Sequence, residues 1–396
     1  MHIGIISTIK YHPWGGSEEL WVQTAKLALQ KGMEVSACFV RAAVDHPKWR
    51  DLEQAGAKTF YTLPESSFNT RLASRTRALS YRLGEHMGER IRLAPLRSFF
   101  AKKPDVLLIN EGGGILEEGF LSMLRKTMPQ TPYVAMFHSN FDRVPADSWR
   151  PDVARFFMNA EAVLFVAEAT LRATERNLAT KFPNARIVRN PVNLEGLQAE
   201  PWPEDAMPRF SCVGALDVSL KGQDLLLEAL SPRAWKRRDW RLSIYGAGEH
   251  AKYLQEVAEH YGLADRVEFR GQVRDVRSIW RAHHALVVPS RIESAPLVIV
   301  EAMLCGRPVI STNVGGIREW VREGRNGFIS EAANAESLAV ALERAWEHRY
   351  EWRQLGANAH EDAMRMYDPA PAETLLSIIT GAAKGDREQL VRAAAL

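Results

Sequence analysis

Val-Val-Pro-Ser-Arg-Ile-Glu-Ser-Ala-Pro-Leu-Val-Ile-Val-Glu-Ala-Met-Leu-Cys-Gly-Arg-Pro-Val-Ile-Ser-Thr-Asn-Val-Gly-Gly, from Val287 to Gly316, is the stretch on which the reading of the whole chain turns. Ala285 to Val288 is an apolar, β-branched run of strand length, and Pro289 stops it. Leu297 to Leu304 has the composition of a short helix ended by Gly306, and Pro308 to Ser311 is strand again. The unit is therefore strand, loop, helix, strand. It carries Glu293 in the loop and Glu301 on the helix, with seven residues between them. A helix starting near Ala295 puts Glu293 just ahead of its N-terminus, where free backbone N–H groups gather, and Glu301 about two turns in. A pocket at that end offers acceptors to hydroxyls and donors to an anion together.

Working outward, composition sets the limits. A chain of 396 residues with 46% hydrophobic content is long enough for two domains with separate cores. A formal net charge of +3 is too small to make nucleic acid the main partner, and no nucleic-acid-binding motif is present. Cys38, Cys212 and Cys305 stand at scattered spacings in apolar surroundings, as small buried hydrophobes of a reducing compartment do. The first residues do not have the pattern of a signal peptide, and no apolar run has the length to span a bilayer. A cytoplasmic protein is the expectation.

In chain order, His2 to Ser7 predicts a first strand, a loop with Lys10 and His12 follows, and Trp14-Gly15-Gly16-Ser17-Glu18 opens a helix to about Lys31. Glycines between strand and helix allow close backbone approach to an anion. A plain tight turn with Ser17 as the helix cap reads equally well from these residues alone. Strands follow at Glu34 to Val40, Lys58 to Leu63, Asp105 to Asn110, Tyr133 to Phe137, Ala162 to Ala167 and Ala185 to Val188. Between the second and third of these the segment Arg71 to Lys103 holds nine Lys/Arg against Glu85 and Glu89, with Leu72, Leu79, Leu83, Met87 and Ile91 on one helical stripe. It reads as a helix with a solvated basic face, or as a surface that meets anionic lipid. His138-Ser139-Asn140 ends one strand and Glu111-Gly112-Gly113-Gly114 another, where ligands of parallel sheets collect.

After Asn190-Pro191-Val192-Asn193, whose proline enforces an extended path, a second half begins with a strand at Arg209 to Gly214. Lys221-Gly222 precedes a helix; alone, Lys221 could be a solvent-exposed loop lysine. Arg241 to Tyr245 runs into Gly246-Ala247-Gly248 with Ala251 at the third position of a G-x-G-x-x-A pattern and Asp265 beyond it. Taken alone, that pattern suggests an NAD-dependent oxidoreductase. It follows the second strand of its half, however, whereas the dinucleotide fingerprint belongs to the first.

The Glu293/Glu301 pair, with Gly306, Pro308 and Gly315-Gly316 at their spacing behind it, resembles the Glu-x7-Glu signature of family 4 glycosyltransferases. The resemblance is dense from about Asn190 to Gly327 and earlier is limited to the Gly-Gly loop and His138. It implies an α/β chain of GT-B fold: two Rossmann-like domains facing each other across a cleft, 1–189 completed by about 368–396 and 194–367, with the C-terminal helix crossing back. It implies retaining transfer of a sugar from a nucleoside diphosphate sugar, UDP or GDP foremost, to a glycan, lipid-linked or small-molecule acceptor, in cell-envelope polysaccharide biosynthesis. No cofactor is implied beyond that donor, and no Asp-x-Asp metal motif stands at a donor site, so metal-independent catalysis is expected.

The resemblance gives Glu293, His138 and Lys221 to catalysis. It gives Gly15, Gly16, Gly214, Lys221, Gly246, Gly248, Val273, Ser294, Ala295, Pro296, Leu297 and Glu301 to the donor, with Glu301 on the ribose hydroxyls and Val273 by the base. Two departures from the family pattern stand out. Ala215 occupies the place of an arginine that shares the diphosphate charge with the lysine, leaving Lys10, Arg291 or helix N-termini to replace it. Pro296 occupies the place of a glycine and lacks its N–H. A GT-B relative that binds donor without transferring it, an epimerase or a sensor, is the other alternative.

Overall fold

The computed structural model describes residues 1–8, 14, 16–40, 46–62, 94–111, 121, 124, 128, 130–138 and 144–386. They form two compact units, Met1–Pro191 with Asp368–Leu396, and Val192–Tyr367.

The first unit is built on a seven-stranded sheet in the order β3-β2-β1-β4-β5-β6-β7, every pairing parallel. These strands are β1 His2–Ser7, β2 Glu34–Val40, β3 Lys58–Thr62, β4 Val106–Glu111, β5 Tyr133–Phe137, β6 Ala162–Phe165 and β7 Ala185–Ile187. Every residue of β4 and β5 is buried. That is why both read as continuous apolar runs instead of alternating ones: helices cover both faces. On one face Trp21 of the Gly16–Gln30 helix, Trp49 and Phe39 share a core with Leu375, Ile378 and Ile379 of the Pro371–Lys384 helix. The last helix thus belongs to the first unit. The other face is aromatic, with Phe99, Phe137, Phe157 and Phe165 in one cluster.

The second unit repeats the plan with a six-stranded parallel sheet ordered β10-β9-β8-β11-β12-β13. Its strands are β8 Arg209–Val213, β9 Arg241–Tyr245, β10 Val267–Gly271, β11 Ala285–Val288, β12 Val309–Thr312 and β13 Gly327–Ser330. Phe210, Trp235, Trp240 and Trp352 fill one face; Leu286, Met303, Ile317 and Trp320 fill the other. The segment entering this unit is fastened by the buried Arg307, whose Nη1 donates to the Glu200 carbonyl at 3.3 Å and whose Nη2 donates to that of Pro201.

In each sheet the winding reverses beside the first strand, between β1 and β4 and again between β8 and β11. Loops leaving such neighbours turn to opposite faces and leave a crevice at the carboxyl ends of the strands. Both units are Rossmann-like, and each has one such reversal of strand order.

Candidate active site

In the second unit the loops after β8 and β11 meet at the switch point. Lys221 ends a short helix, Val218–Lys221, which Asp217 caps by accepting from Ser219 N at 3.0 Å. Gly222 leaves that helix at φ +62, and a Cβ there would fall 2.2 Å from the Pro289 carbonyl oxygen. This close approach lets the Lys221 turn lie against the end of β11. Lys221 Nζ then donates to Glu293 Oε1 at 2.7 Å, and Ser290 Oγ donates to the same oxygen at 2.8 Å. Glu293 is buried while the Lys221 side chain stays 30% exposed. The ion pair therefore has a dry end and an accessible one.

Behind Glu293, Gly315 at φ +56 puts the site of a missing Cβ 1.9 Å from the Glu293 carbonyl oxygen, and Gly316 N donates to the Ser294 carbonyl at 2.8 Å. The loop Ser294-Ala295 is thereby held against the turn after β12. The helix beyond it runs Leu297–Leu304, the bounds read from the sequence, and so begins after Ala295 and not at it. Pro296 is the reason: it sits in the N-cap position at φ −70 and ψ 108, and its ring disfavours helical backbone at Ala295 before it. Pro296 itself supplies no side-chain cap to that N-terminus.

Gly214, at the end of β8, lies along Lys221, whose methylenes come within 3.8 Å of where its Cβ would be. Gly246, φ +134, is pressed so close to Gly214 that a Cβ would meet its carbonyl oxygen at 1.8 Å; Gly248 stands 2.4 Å on the same measure from the Leu216 carbonyl oxygen. These glycines stack the β8 and β9 loops on each other. Gly246 N also donates to the Gly271 carbonyl at 2.8 Å, so the turn carrying the exposed Val273 borders the same edge.

Glu301 is buried, and its Oε1 accepts from Asn193 N at 3.0 Å. Burial pushes its carboxyl above the usual carboxylate range, with the Asn193 hydrogen bond opposing. Asn193, read from the sequence as linker, is thus a neighbour of the site.

Arg291 is engaged within the second unit. It forks onto Asp224, Nη1 to Oδ1 at 2.6 Å and Nη2 to Oδ2 at 2.8 Å, and also donates to the Val218 carbonyl. A bidentate pair of this kind leaves the guanidinium committed to fixing the Lys221 turn. Ala215 is exposed beside Gly214.

The dinucleotide pattern also fails in three dimensions. Asp265 precedes β10, which runs parallel to β9, so it lies at the end of the sheet opposite Gly246. The fingerprint requires its acid at the carboxyl end. Among the described residues Asp217, Glu249 and His250 bring their ligand atoms within 4.8 Å of one another, and Asp217 already serves as a helix cap.

In the first unit β1, β4 and β5 deliver a second group of polar side chains to their carboxyl ends. His138, just past β5, is 9% exposed; its Nε2 lies 2.9 Å from Asn110 Oδ1. Burial lowers its pKa to about 3, so the ring is neutral near pH 7. Asn110 Nδ2 donates to the Ser17 carbonyl at 3.2 Å. Gly16 is the first residue of its helix, and Ser17 is not the cap: its Oγ donates to Glu18 Oε2 at 2.5 Å. Glu18 is fully buried, accepting also from Trp21 Nε1 at 3.2 Å and from Ser7 Oγ, and burial raises its pKa against those hydrogen bonds. Sequence reading passed over Glu18 and Asn110. The signal available was an acid in the first turn after Gly-Gly and an asparagine inside an otherwise apolar strand.

Gly15, Lys10, His12, residues 71–93 of the basic segment, Gly112 to Gly114, Ser139 and Asn140 lie outside the described residues. No described helix is long and apolar enough to cross a membrane.

Comparison with known proteins gives the fold its class. Residues 207–348 match the family described as Glycosyl transferases group 1. An uncharacterised glycosyltransferase of Haemophilus influenzae is 34% identical over 126 residues, 32% of this chain and 36% of that protein. A GDP-mannose-dependent α-(1-6)-phosphatidylinositol monomannoside mannosyltransferase of Mycolicibacterium smegmatis is 29% identical over 218 residues, 49% of this chain and 55% of that one. The chain is therefore matched over about half, or less, of these relatives' length. The structure of Anabaena HepE in complex with UDP superimposes with a TM-score of 0.70 at 19% identity, over 99% of this chain and 100% of that one. HepE has also been solved with UDP-glucose. The fold is GT-B, and the second unit carries the group 1 glycosyltransferase match.

Proposed function

We propose that this protein is a retaining, metal-independent glycosyltransferase of the family 4 type. It moves a sugar from a nucleoside diphosphate sugar, with UDP or GDP as the base-bearing part, to a glycan, lipid-linked or small-molecule acceptor. The observation that carries the reading is the Lys221–Glu293 pair, held at 2.7 Å at a switch point beside the N-terminus of the Leu297–Leu304 helix. The UDP bound by HepE and the GDP-mannose named for the mycobacterial relative support the donor class.

The chemistry follows from charge. When the glycosidic bond to the diphosphate breaks, negative charge grows on its oxygens, and preorganised donors aimed there lower the barrier most. Lys221 Nζ and the amides opening the Leu297–Leu304 helix are such donors in the second unit; Gly16 is the corresponding helix start in the first. Glu293 accepts from sugar hydroxyls and holds Lys221 in place. Glu301, with Asn193 N on one oxygen, receives the ribose hydroxyls, and His138 orients the sugar. Gly214, Gly246 and Gly248 let backbone come close to the nucleotide, and Val273 borders the base.

Thermal shift with UDP-, GDP- and ADP-sugars is the test, since a ligand of the native state raises its melting temperature. The donor that binds should then give transfer to an acceptor extract, with the anomeric configuration kept and the rate unchanged by EDTA. Donor binding without transfer would favour the epimerase or sensor reading; stabilisation by NADH alone would overturn the proposal. Flotation with anionic vesicles tests whether the basic segment meets a membrane.

A further inference from the structure

We infer that Asn110 is a positioning residue which decides where the His138 ring carries its proton, so that His138 meets a ligand as a hydrogen-bond acceptor through Nδ1. The argument runs through groups with a single possible role. The Ser17 carbonyl can only accept, so the Asn110 group 3.2 Å from it must be Nδ2. That turns Oδ1 towards His138 Nε2, 2.9 Å away. An amide oxygen also can only accept, so Nε2 holds the ring hydrogen. A neutral imidazole has one N–H, which leaves the lone pair on Nδ1.

Nδ1 is buried and has no hydrogen-bond partner among the described residues. A buried acceptor without a donor is unfavourable until something supplies one. The ligand group that fits is an O–H, as on a neutral sugar ring, and not a carbonyl or phosphate oxygen. Burial keeps the ring neutral, in agreement with this role. The direction of the Ser17 carbonyl is itself held, because Ser17 is the second residue of the Gly16–Gln30 helix and its carbonyl follows the helix axis. The inference depends on the transferase reading only for the identity of the hydroxyl.

The test uses the full chain with ¹⁵N-labelled histidine and long-range ¹H–¹⁵N spectra, the His138 signals being assigned through His138→Gln. At pH 7 the wild type should show a protonated Nε2 and a bare Nδ1. Asn110→Ala should lose this single tautomer and Asn110→Asp should shift the ring towards imidazolium, each variant's fold being checked by thermal melting. A wild-type ring with hydrogen on Nδ1, or on both nitrogens, overturns the proposal without any variant. So does an Asn110→Ala protein that folds and keeps the wild-type pattern. UDP-glucose or GDP-mannose, whichever binds, should shift the Nδ1 resonance upfield, and binding with no shift refutes the acceptor role. If neither binds and the tautomer is as stated, the transferase reading is in trouble while the Asn110 assignment stands.

Discussion

Lys221 and Glu293 stand 72 positions apart in the chain and meet at 2.7 Å. Nothing local brings them together; β8 and β11 are neighbours in the sheet, and the loops leaving them converge. On the proposed donor reading, Glu293 and the diphosphate compete for the same ammonium. Glu293→Gln should remove the competing charge and tighten UDP binding by about fivefold while turnover falls, a coupling of ~1 kcal/mol being ordinary for such a pair. Lys221→Ala should weaken UDP binding and lower kcat by roughly 10²- to 10³-fold. Calorimetry with UDP and single-turnover transfer assays separate the two effects. Equal loss of binding in both variants would remove the competition argument.

Gly315 and Gly324 share a left-handed backbone, φ +56 and +67, but only at Gly315 would a Cβ strike a carbonyl, that of Glu293; at Gly324 it would meet nothing within 4 Å. Gly324→Ala should therefore be destabilised by the strained φ alone, about 1–2 kcal/mol. Gly315→Ala should lose more and should lose activity as well, because the Glu293 loop must retreat. Denaturant melts of both variants, with donor binding, give the comparison.

Ala215 is exposed at the end of β8, and Arg291 is committed to Asp224. Ala215→Arg should add a cation next to Lys221 and lower the donor KM by about tenfold, equivalent to ~1.4 kcal/mol. The gain should shrink with added salt, as the attraction of a surface charge does. A KM unchanged at low ionic strength would place the diphosphate elsewhere.

His138 and His283 are both buried, with pKa values lowered by desolvation to about 3 and about 4. The unfolded chain takes up a proton on each as pH falls through 6.5, while the folded chain does not until far lower. Below pH 6.5 the unfolded state therefore binds more protons and stability drops, at most by about 1.4 kcal/mol per pH unit for each histidine. Glu18 and Glu301, whose pKa values are raised, act in the opposite sense. Melting temperatures between pH 4 and 7 should fall less steeply in His283→Gln than in the wild type. Parallel curves would show that His283 titrates normally in the fold.

Much of the fold is legible in the chain. β11, the Leu297–Leu304 helix and β12 follow from an apolar run, a proline stop and a glycine stop, which are local causes that act through φ, N–H and side-chain shape. The spacing of Glu293 and Glu301 is legible for the same reason. The Leu297–Leu304 bounds read from the chain are those of the helix; a start near Ala295 is ruled out because Pro296 disfavours helical backbone at the residue before it.

The sequence by itself determined the alternation of strands and helices, the two α/β halves and the presence of a lysine, two glutamates and several glycines at strand ends. Only the tertiary structure decided that Lys221 is paired with Glu293, that Arg291 is held by Asp224, that Glu301 is met by Asn193, and that Asn110 and Glu18 stand behind His138. Periodicity reports which face of an element is buried, whereas hydrogen-bond partners depend on which strand ends the sheet order makes neighbours. That order is set by packing between segments far apart in the chain, and no local pattern encodes it.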